Sequence, residues 1–211
     1  MPTEVISGAT GPATISAGPV ALLLLAAGAS TRMGQPKQLL PYRGRTLLRH
    51  AAETAVASGC APLVLVTGAL HDALAAEVAG LPVQVVHNPA WATGMASSIR
   101  AGLAAVAAAR PAAVLIMLAD QPLLTPALLR QLVAQQRRTR APVVAAAYGD
   151  TLGVPAVFDG TVLPALARLH GAQGAAGLIA GFGAAAGRVA FPAGLLDVDT
   201  PAQYAALLAR P

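Results

Sequence analysis

The chain has 211 residues and a net charge of +5, with 55% hydrophobic residues and only 11% charged ones. This length predicts a single domain with room for a substantial core, and the apolar excess is largely alanine, which favours helices. No apolar run reaches the roughly 18 residues that a membrane span requires, so no transmembrane helix is expected. The positive charge suits a polyanionic ligand, but scattered arginines and few aromatic residues argue against nucleic acid as a partner.

The N-terminal segment and the cysteine content indicate the cellular compartment. Residues 1–19 precede an apolar stretch but contain no Lys or Arg, so they do not match a secretion signal. We expect a flexible segment over 1–19 and one domain over 20–211. Cys60 is the single cysteine, which excludes an intrachain disulfide framework and a thiolate metal cluster, and this favours the cytoplasm.

Short apolar runs alternate with alanine-rich stretches of helical length, a pattern typical of βαβ units. Strands are predicted over residues 20–27, 63–67, 83–87, 113–119 and 143–148, with a strand over 152–158 returning antiparallel after a turn. Helices are predicted over 46–58, 71–79, 97–109 and 125–138, with Thr46, Ser97 and Thr125 as caps. The expected fold is a three-layer α/β/α sandwich, Rossmann-like, with a mostly parallel sheet, an antiparallel element and an irregular C-terminal third.

The loop after the first predicted strand has the composition of a phosphate site. Ligands collect at the carboxyl ends of parallel strands, and Gly28-Ala-Ser-Thr-Arg-Met-Gly34 can expose backbone N–H groups there. Arg32 and Lys37 add positive charge. The loop is neither a Walker A loop nor a G-x-G-x-x-G fingerprint, so by itself it indicates either a phosphate site or a tight turn. Lys37 is the only lysine beside thirteen arginines, and a compact ammonium fits beside a phosphate where a planar guanidinium does not.

Carboxylates follow at two further places. Asp120 ends the apolar run 113–119, where a desolvated carboxylate suits Mg²⁺, although it could also cap a helix or form a turn. Asp197 and Asp199 alternate, so both are expected on one face. Asp199 also precedes Thr200, an apt helix start, so capping competes with metal binding.

These motifs occur in a definite order along nearly the whole chain. They are Leu25-Ala-Ala-Gly-Ala-Ser-Thr-Arg-Met-Gly34, Lys37, Leu39-Leu40-Pro41, Asn88-Pro-Ala-Trp91, Gly94-Met95-Ala96-Ser97-Ser98, Asp120-Gln121-Pro122, Gly153-Val154-Pro155 and Asp197-Val-Asp-Thr-Pro201. The combination closely resembles the nucleotidyltransferases that act on the molybdenum cofactor. In that family Ala-Ala-Gly, present here as Ala26-Ala27-Gly28, is typical of the CTP-using cytidylyltransferase, and Ala-Gly-Gly of the GTP-using guanylyltransferase.

The resemblance implies transfer of CMP from CTP to the terminal phosphate of molybdopterin, with release of pyrophosphate. It implies Mg²⁺ as cofactor, held by Asp120 and Asp199, and catalytic roles for Arg32, Lys37 and Asp120. The residues expected to bind the nucleotide are Ala26, Ala27, Gly28, Ser30, Gly34, Gly94, Ser97 and Ser98. The attacking phosphate is already an anion, so no catalytic histidine is expected. A molybdenum hydroxylase is a further candidate partner, as the client that receives the product.

Three points stay open at the level of sequence. Gly171-Ala-Gln-Gly-Ala-Ala176 stands where the cytidylyltransferases usually carry Gly-Asp-x-Gly-Ala-Arg, which leaves the acceptor undetermined. The alternatives are a transferase of the same fold using GTP or another small acceptor, and a nucleotide-binding maturation factor or chaperone for a molybdenum hydroxylase. Trp91 could contact a ligand or anchor a loop, and Ser97 and Ser98 could cap a helix or bind ribose or base.

Overall fold

A seven-stranded sheet forms the centre of the computed structural model, which describes residues 18–210. Its strands, in spatial order, are β5 (Gln84–His87), β4 (Leu63–Thr67), β1 (Val20–Leu25), β6 (Ala113–Leu118), β8 (Thr151–Asp159), β7 (Val143–Tyr148) and β9 (Gly187–Ala190). A separate small hairpin joins β2 (Pro41–Tyr42) and β3 (Arg45–Thr46). The flexible segment predicted over 1–19 lies outside the described residues, apart from residues 18 and 19.

The central strand β1 explains why the sheet is parallel here. It pairs with β4 on one side and β6 on the other, both in parallel register, and all six of its residues are buried. A continuous apolar run of this kind is typical of a strand covered on both faces. β8 runs antiparallel to β6 and β7, which confirms the predicted antiparallel element.

The described part of the chain contains seven α-helices. They are α1 (Leu47–Val56), α2 (His71–Glu77), α3 (Met95–Val106), α4 (Pro126–Thr139), α5 (Leu163–Ala167), α6 (Ala175–Gly181) and α7 (Pro201–Leu208). Alternate residues of β1 face opposite layers, so Leu22 and Leu24 pack with α1, α2 and α4, and Leu23 and Leu25 with α3, α5 and α6. The three-layer sandwich is therefore confirmed.

Several predicted boundaries need correction. β1 ends at Leu25, so the last two residues of the predicted strand 20–27 belong to the following loop. Thr46 and Thr125 cap α1 and α4 as expected, each accepting a hydrogen bond from a backbone N–H three residues on. The cap predicted at Ser97 is wrong, because α3 begins at Met95 after Gly94 and Ser97 lies inside the helix.

The C-terminal third is also more regular than expected. It contains α5, α6 and α7, and β9 extends the sheet by pairing parallel to β7. Leu207 of α7 packs with Met33, Leu40 and Tyr42, and the Tyr204 hydroxyl donates to the Pro41 carbonyl at 2.6 Å. This packing fixes the segment before α7 beside the loop that follows β1. No helix in residues 18–210 is long and apolar enough to cross a membrane.

Candidate active site

A cavity of about 470 Å³ opens at the carboxyl ends of β1 and β6. Its lining consists of Leu25, Ala26, Ala27, Gly28, Arg32, Lys37, Gln38, Trp91, Ala92, Gly94, Met95, Ser98, Leu118, Ala119, Asp120, Asp197 and Asp199. Distant parts of the sequence, among them Gly28, Gly94 and Asp199, therefore meet at one point, as the strand-end rule predicts.

Lys37 occupies the centre of the charged wall of this cavity. Its Nζ donates to Asp120 Oδ2 at 2.5 Å and to Asp199 Oδ1 at 2.7 Å, and its side chain is only 16% exposed. Burial alone would lower the pKa of Lys37, but the two carboxylates outweigh it and raise the pKa above its usual value. The lysine is therefore held as a cation between two anions.

Arg32 shares the second carboxylate. Its Nη2 donates to Asp199 Oδ2 at 2.8 Å, but its side chain is 71% exposed, so this pair contributes little to stability. Burial would raise the pKa of Asp199, and the hydrogen bonds and charges of Lys37 and Arg32 reverse that effect and lower it. Asp199 is thus ionised over the physiological range.

Asp197 is a third carboxylate in the cavity, and the predicted metal site did not include it. Burial, followed by the negative charge of Asp120, raises the pKa of Asp197 to about 6. Asp120 Oδ1, Asp197 Oδ1 and Gln121 Oε1 are the buried side-chain polar atoms without a hydrogen-bond partner in the described residues. Asp197 and Asp199 do line one face, as their alternation predicted, although residues 197–199 form no strand.

The second half of the glycine loop folds into a short turn, from which Arg32 lines the cavity. Ser30 has a left-handed backbone with φ of 57°, a 3₁₀ turn spans Thr31–Met33, and Gly34 closes it with φ of 72°. Ser30 and Gly34 do not line the cavity, so their predicted nucleotide contacts stay predictions. The Ser30 hydroxyl instead donates to Gln38 Oε1 at 3.0 Å.

Gly94 brings the loop 171–176 against the start of α3. Its φ of 114° is accessible to glycine, and a Cβ here would collide with the carbonyl of Gly171. Ser98 lines the cavity, whereas the Ser97 hydroxyl does not, and lies within hydrogen-bond distance of the carbonyls of Ala90 and Gly94. Trp91 also lines the cavity, so this residue is placed to contact a ligand as well as to anchor the loop.

Helix capping does not account for either predicted metal ligand. Thr200 caps α7, its hydroxyl accepting from the Gln203 N–H at 3.3 Å, which frees the Asp199 carboxylate for its ion pairs. Thr125 caps α4, so Asp120 has no capping role there. In residues 18–210, no group of three or more His, Cys, Asp or Glu side chains is arranged to hold a metal unaided.

The fold and the site together define an α/β protein with a glycine-rich loop, flanking cations and carboxylates at the ends of parallel strands. Residues 22–189 match the MobA-like NTP transferase domain, and the chain belongs to that family. The family resemblance read from the sequence motifs is thereby confirmed.

Known relatives carry more than one function. The chain is 41% identical to nicotine blue oxidoreductase of Paenarthrobacter nicotinovorans, over 69% of this chain and 73% of that protein. It is 35% identical to the molybdenum cofactor cytidylyltransferase of Escherichia coli (strain K12), over 40% of this chain and 44% of that protein. The crystal structure of Rv0371c from Mycobacterium tuberculosis H37Rv superposes with a TM-score of 0.79 at 35% identity, over 92% of this chain and 100% of that chain. Rv0371c has also been solved in complex with manganese.

Proposed function

We propose that the protein transfers CMP from CTP to the terminal phosphate of molybdopterin and releases pyrophosphate. The observation that carries this proposal is the buried Lys37 ammonium, held by Asp120 and Asp199 beside a glycine-rich loop. Basic side chains and free backbone N–H groups at one point provide hydrogen-bond donors for a triphosphate. The membership of the MobA-like family supports the reaction class.

The chemistry needs charge stabilisation more than a strong nucleophile. An oxygen of the acceptor phosphate forms a bond to the α-phosphorus, while the bond from that phosphorus to the bridging oxygen of the β-phosphate breaks. Pyrophosphate leaves with the electron pair. Lys37, Arg32 and the N–H groups of the loop neutralise the charge that grows on the phosphate oxygens. Because the acceptor phosphate is already an anion, no side chain has to remove a proton.

The residues present fit a divalent cation. Three carboxylates stand against two basic groups in the cavity, so the site has an excess negative charge. Asp120 Oδ1 and Asp197 Oδ1 are buried oxygens without partners, and oxygen is the ligand atom that Mg²⁺ prefers. Asp120 and Asp199 are the proposed ligands, with Asp197 adjacent. When bound, Mg²⁺ would supply positive charge to the triphosphate. The manganese complex of Rv0371c supports a divalent ion.

Ala27 supports CTP over GTP. It lines the cavity in the position where the guanylyl enzymes usually have glycine, and its methyl group leaves less space for a purine. One contact of this size is worth only about 1–3 kcal/mol, so GTP is expected to be a poor substrate rather than an excluded one.

The acceptor side is assigned to the loop 171–176 and the start of α3. Gly94 packs against Gly171, and a Cβ on Gly174 would lie 2.9 Å from Met95 Sδ, so the loop borders the cavity. Met95 is 42% exposed, an apolar surface suited to a flat organic acceptor. The name of the Escherichia coli relative supports molybdopterin as that acceptor.

A second candidate is an oxidoreductase activity, which the 41% identity to nicotine blue oxidoreductase favours. The charged cluster of Lys37, Asp120 and Asp199 favours the transferase, because nucleotidyl transfer builds negative charge on phosphate oxygens at the reacting centre, whereas hydride transfer does not. A third candidate is a maturation factor for a molybdenum hydroxylase that binds the nucleotide without turning it over.

Pyrophosphate release separates these candidates. We expect pyrophosphate to be released from CTP only when both Mg²⁺ and molybdopterin are present. Asp120→Asn should lower the rate of this release at least tenfold, because it removes one negative charge of the cation site. A maturation factor binds CTP but releases no pyrophosphate. An oxidoreductase instead changes the absorbance of a reduced nicotinamide dinucleotide incubated with nicotine blue. Mg²⁺-dependent turnover unchanged by Asp120→Asn would contradict the metal assignment.

A further inference from the structure

Gln38 is a buried residue directly after Lys37, and its amide is hydrogen-bonded to the glycine-rich loop. It is only 3% exposed and belongs to the 3₁₀ turn Lys37–Leu39. Its Nε2 donates to the carbonyl of Gly28 at 2.7 Å and to that of Ala26 at 3.3 Å. Its Oε1 accepts from the Ser30 hydroxyl at 3.0 Å. Only the NH₂ group of the amide can donate hydrogen bonds to two carbonyls, so these contacts fix the orientation of the Gln38 side chain.

The two carbonyls determine where two N–H groups point. In a trans peptide the C=O and the N–H are directed oppositely. The carbonyl of Ala26 shares its peptide with the N–H of Ala27, and that of Gly28 shares its peptide with the N–H of Ala29. Because Gln38 draws both carbonyls inwards, the N–H groups of Ala27 and Ala29 are directed away from it, towards the open side of the loop.

Those N–H groups have no hydrogen-bond partner among the described residues. Gly28 and Ala29 are exposed, and Ala27 and Gly28 line the cavity. Between residues 18 and 210, no protein group accepts a hydrogen bond from the N–H of Ala27, Gly28, Ala29 or Ser30. A run of free N–H groups at a strand end is an anion site, provided that the carbonyls between them are turned away.

We propose that Gln38 is the positioning residue of this site, and that it sets the affinity for the nucleotide triphosphate by holding the loop carbonyls away from the phosphates. The inference rests on the proposed function and deepens it. Without the amide, the peptides following Ala26 and Gly28 are free to rotate and to present an oxygen to the phosphate, which repels it. Gln38 itself touches no phosphate in this role.

The test is CTP binding by calorimetry in the presence of Mg²⁺, with Gln38→Met as the main variant. Methionine has a similar length but no donor, and we expect about tenfold weaker binding, the effect of two misdirected donors. The matched control is Gln136→Met. Gln136 is 4% exposed and its amide also donates a hydrogen bond, to Asp159 Oδ2 at 3.1 Å, but it lies outside the cavity. The control should bind CTP as the wild type does.

The readings of this experiment are distinct. Weaker binding by Gln38→Met but not by Gln136→Met, at a temperature where both are folded, supports the positioning role. Affinity within twofold of wild type overturns it, and so does an equal loss in both variants, which indicates general destabilisation. If Gln38→Met does not fold, Gln38→Asn keeps the amide but is too short to reach both carbonyls, and the same criteria apply. Wild-type protein that binds neither CTP nor GTP overturns the proposed function, and the inference with it.

Discussion

The replacement Lys37→Arg tests the geometry of the charged cluster while preserving its charge. The Cζ of arginine falls near the position of the lysine Nζ, so the outer nitrogens extend about 1.3 Å further, the length of a C–N bond with partial double-bond character. Lys37 Nζ already lies 2.5 Å and 2.7 Å from its two carboxylate partners, so this extension has no space. Either the carboxylates or the bound phosphates must move by about that distance.

A displacement of roughly 1 Å costs about a hundredfold in rate, which corresponds to about 2.7 kcal/mol of transition-state stabilisation. We therefore expect kcat for pyrophosphate release at saturating CTP to fall about a hundredfold. The larger side chain also overpacks a site that is 16% exposed, so the free energy of unfolding should fall by about 1–3 kcal/mol.

The control for this prediction is Arg140→Lys. Arg140 is exposed and ends α4 with a φ of 56°, a conformation in which lysine and arginine are equally strained. This variant should change neither kcat nor the melting temperature. Turnover by Lys37→Arg within threefold of wild type would refute the reasoning, because it would show that the position of the cation is not critical.

Four further variants probe other residues of the site. Asp199→Ala should lower kcat, because it removes a partner of Lys37. Thr200→Ala should lower the free energy of unfolding by about 1 kcal/mol through loss of the α7 cap and leave kcat unchanged. An equal loss of kcat in both variants would show that the start of the helix matters and the carboxylate does not. Because the pKa of Asp197 is raised from 3.8 to about 6, the folded protein holds the proton more tightly than the unfolded chain, and stability falls as pH rises through that window. Asp197→Asn removes this loss of stability. The melting temperature of the variant minus that of the wild type should therefore increase as the pH rises from about 4 to about 7. A difference that does not change with pH would contradict the assignment. Ala27→Gly should reduce the preference of kcat/KM for CTP over GTP several-fold, and a wild-type enzyme that uses both nucleotides equally would overturn the specificity proposal.

The central strands could be predicted because they are continuous apolar runs buried on both faces. β4 and β7 have the predicted bounds, and β6 differs by a single residue. Shorter elements were not predicted, because their structure depends on contacts with neighbouring elements. β9 has four residues and one buried side chain, so its pairing with β7 is not visible in its composition. α6 contains two glycines, which weaken the helical pattern.

The charged part of the site could be predicted for a similar reason. Residues after apolar runs lie at one edge of a parallel sheet, and this rule brings the glycine loop and Asp120 together. The rule does not reveal side-chain contacts with backbone carbonyls, so the role of Gln38 depends on distances in the folded protein. Asp197 was visible in the alternation with Asp199, but its burial and its unpartnered oxygen were not.

Identifying which phosphorus–oxygen bond of CTP is broken tests the central claim most directly. The protein is incubated with Mg²⁺, molybdopterin and CTP that carries a phosphorus label at either the α or the γ position, and the products are separated. Nucleotidyl transfer predicts that the α label appears covalently on molybdopterin and that the γ label appears in pyrophosphate. Release of the γ label as inorganic phosphate, or no transfer of the α label to molybdopterin, would contradict the account.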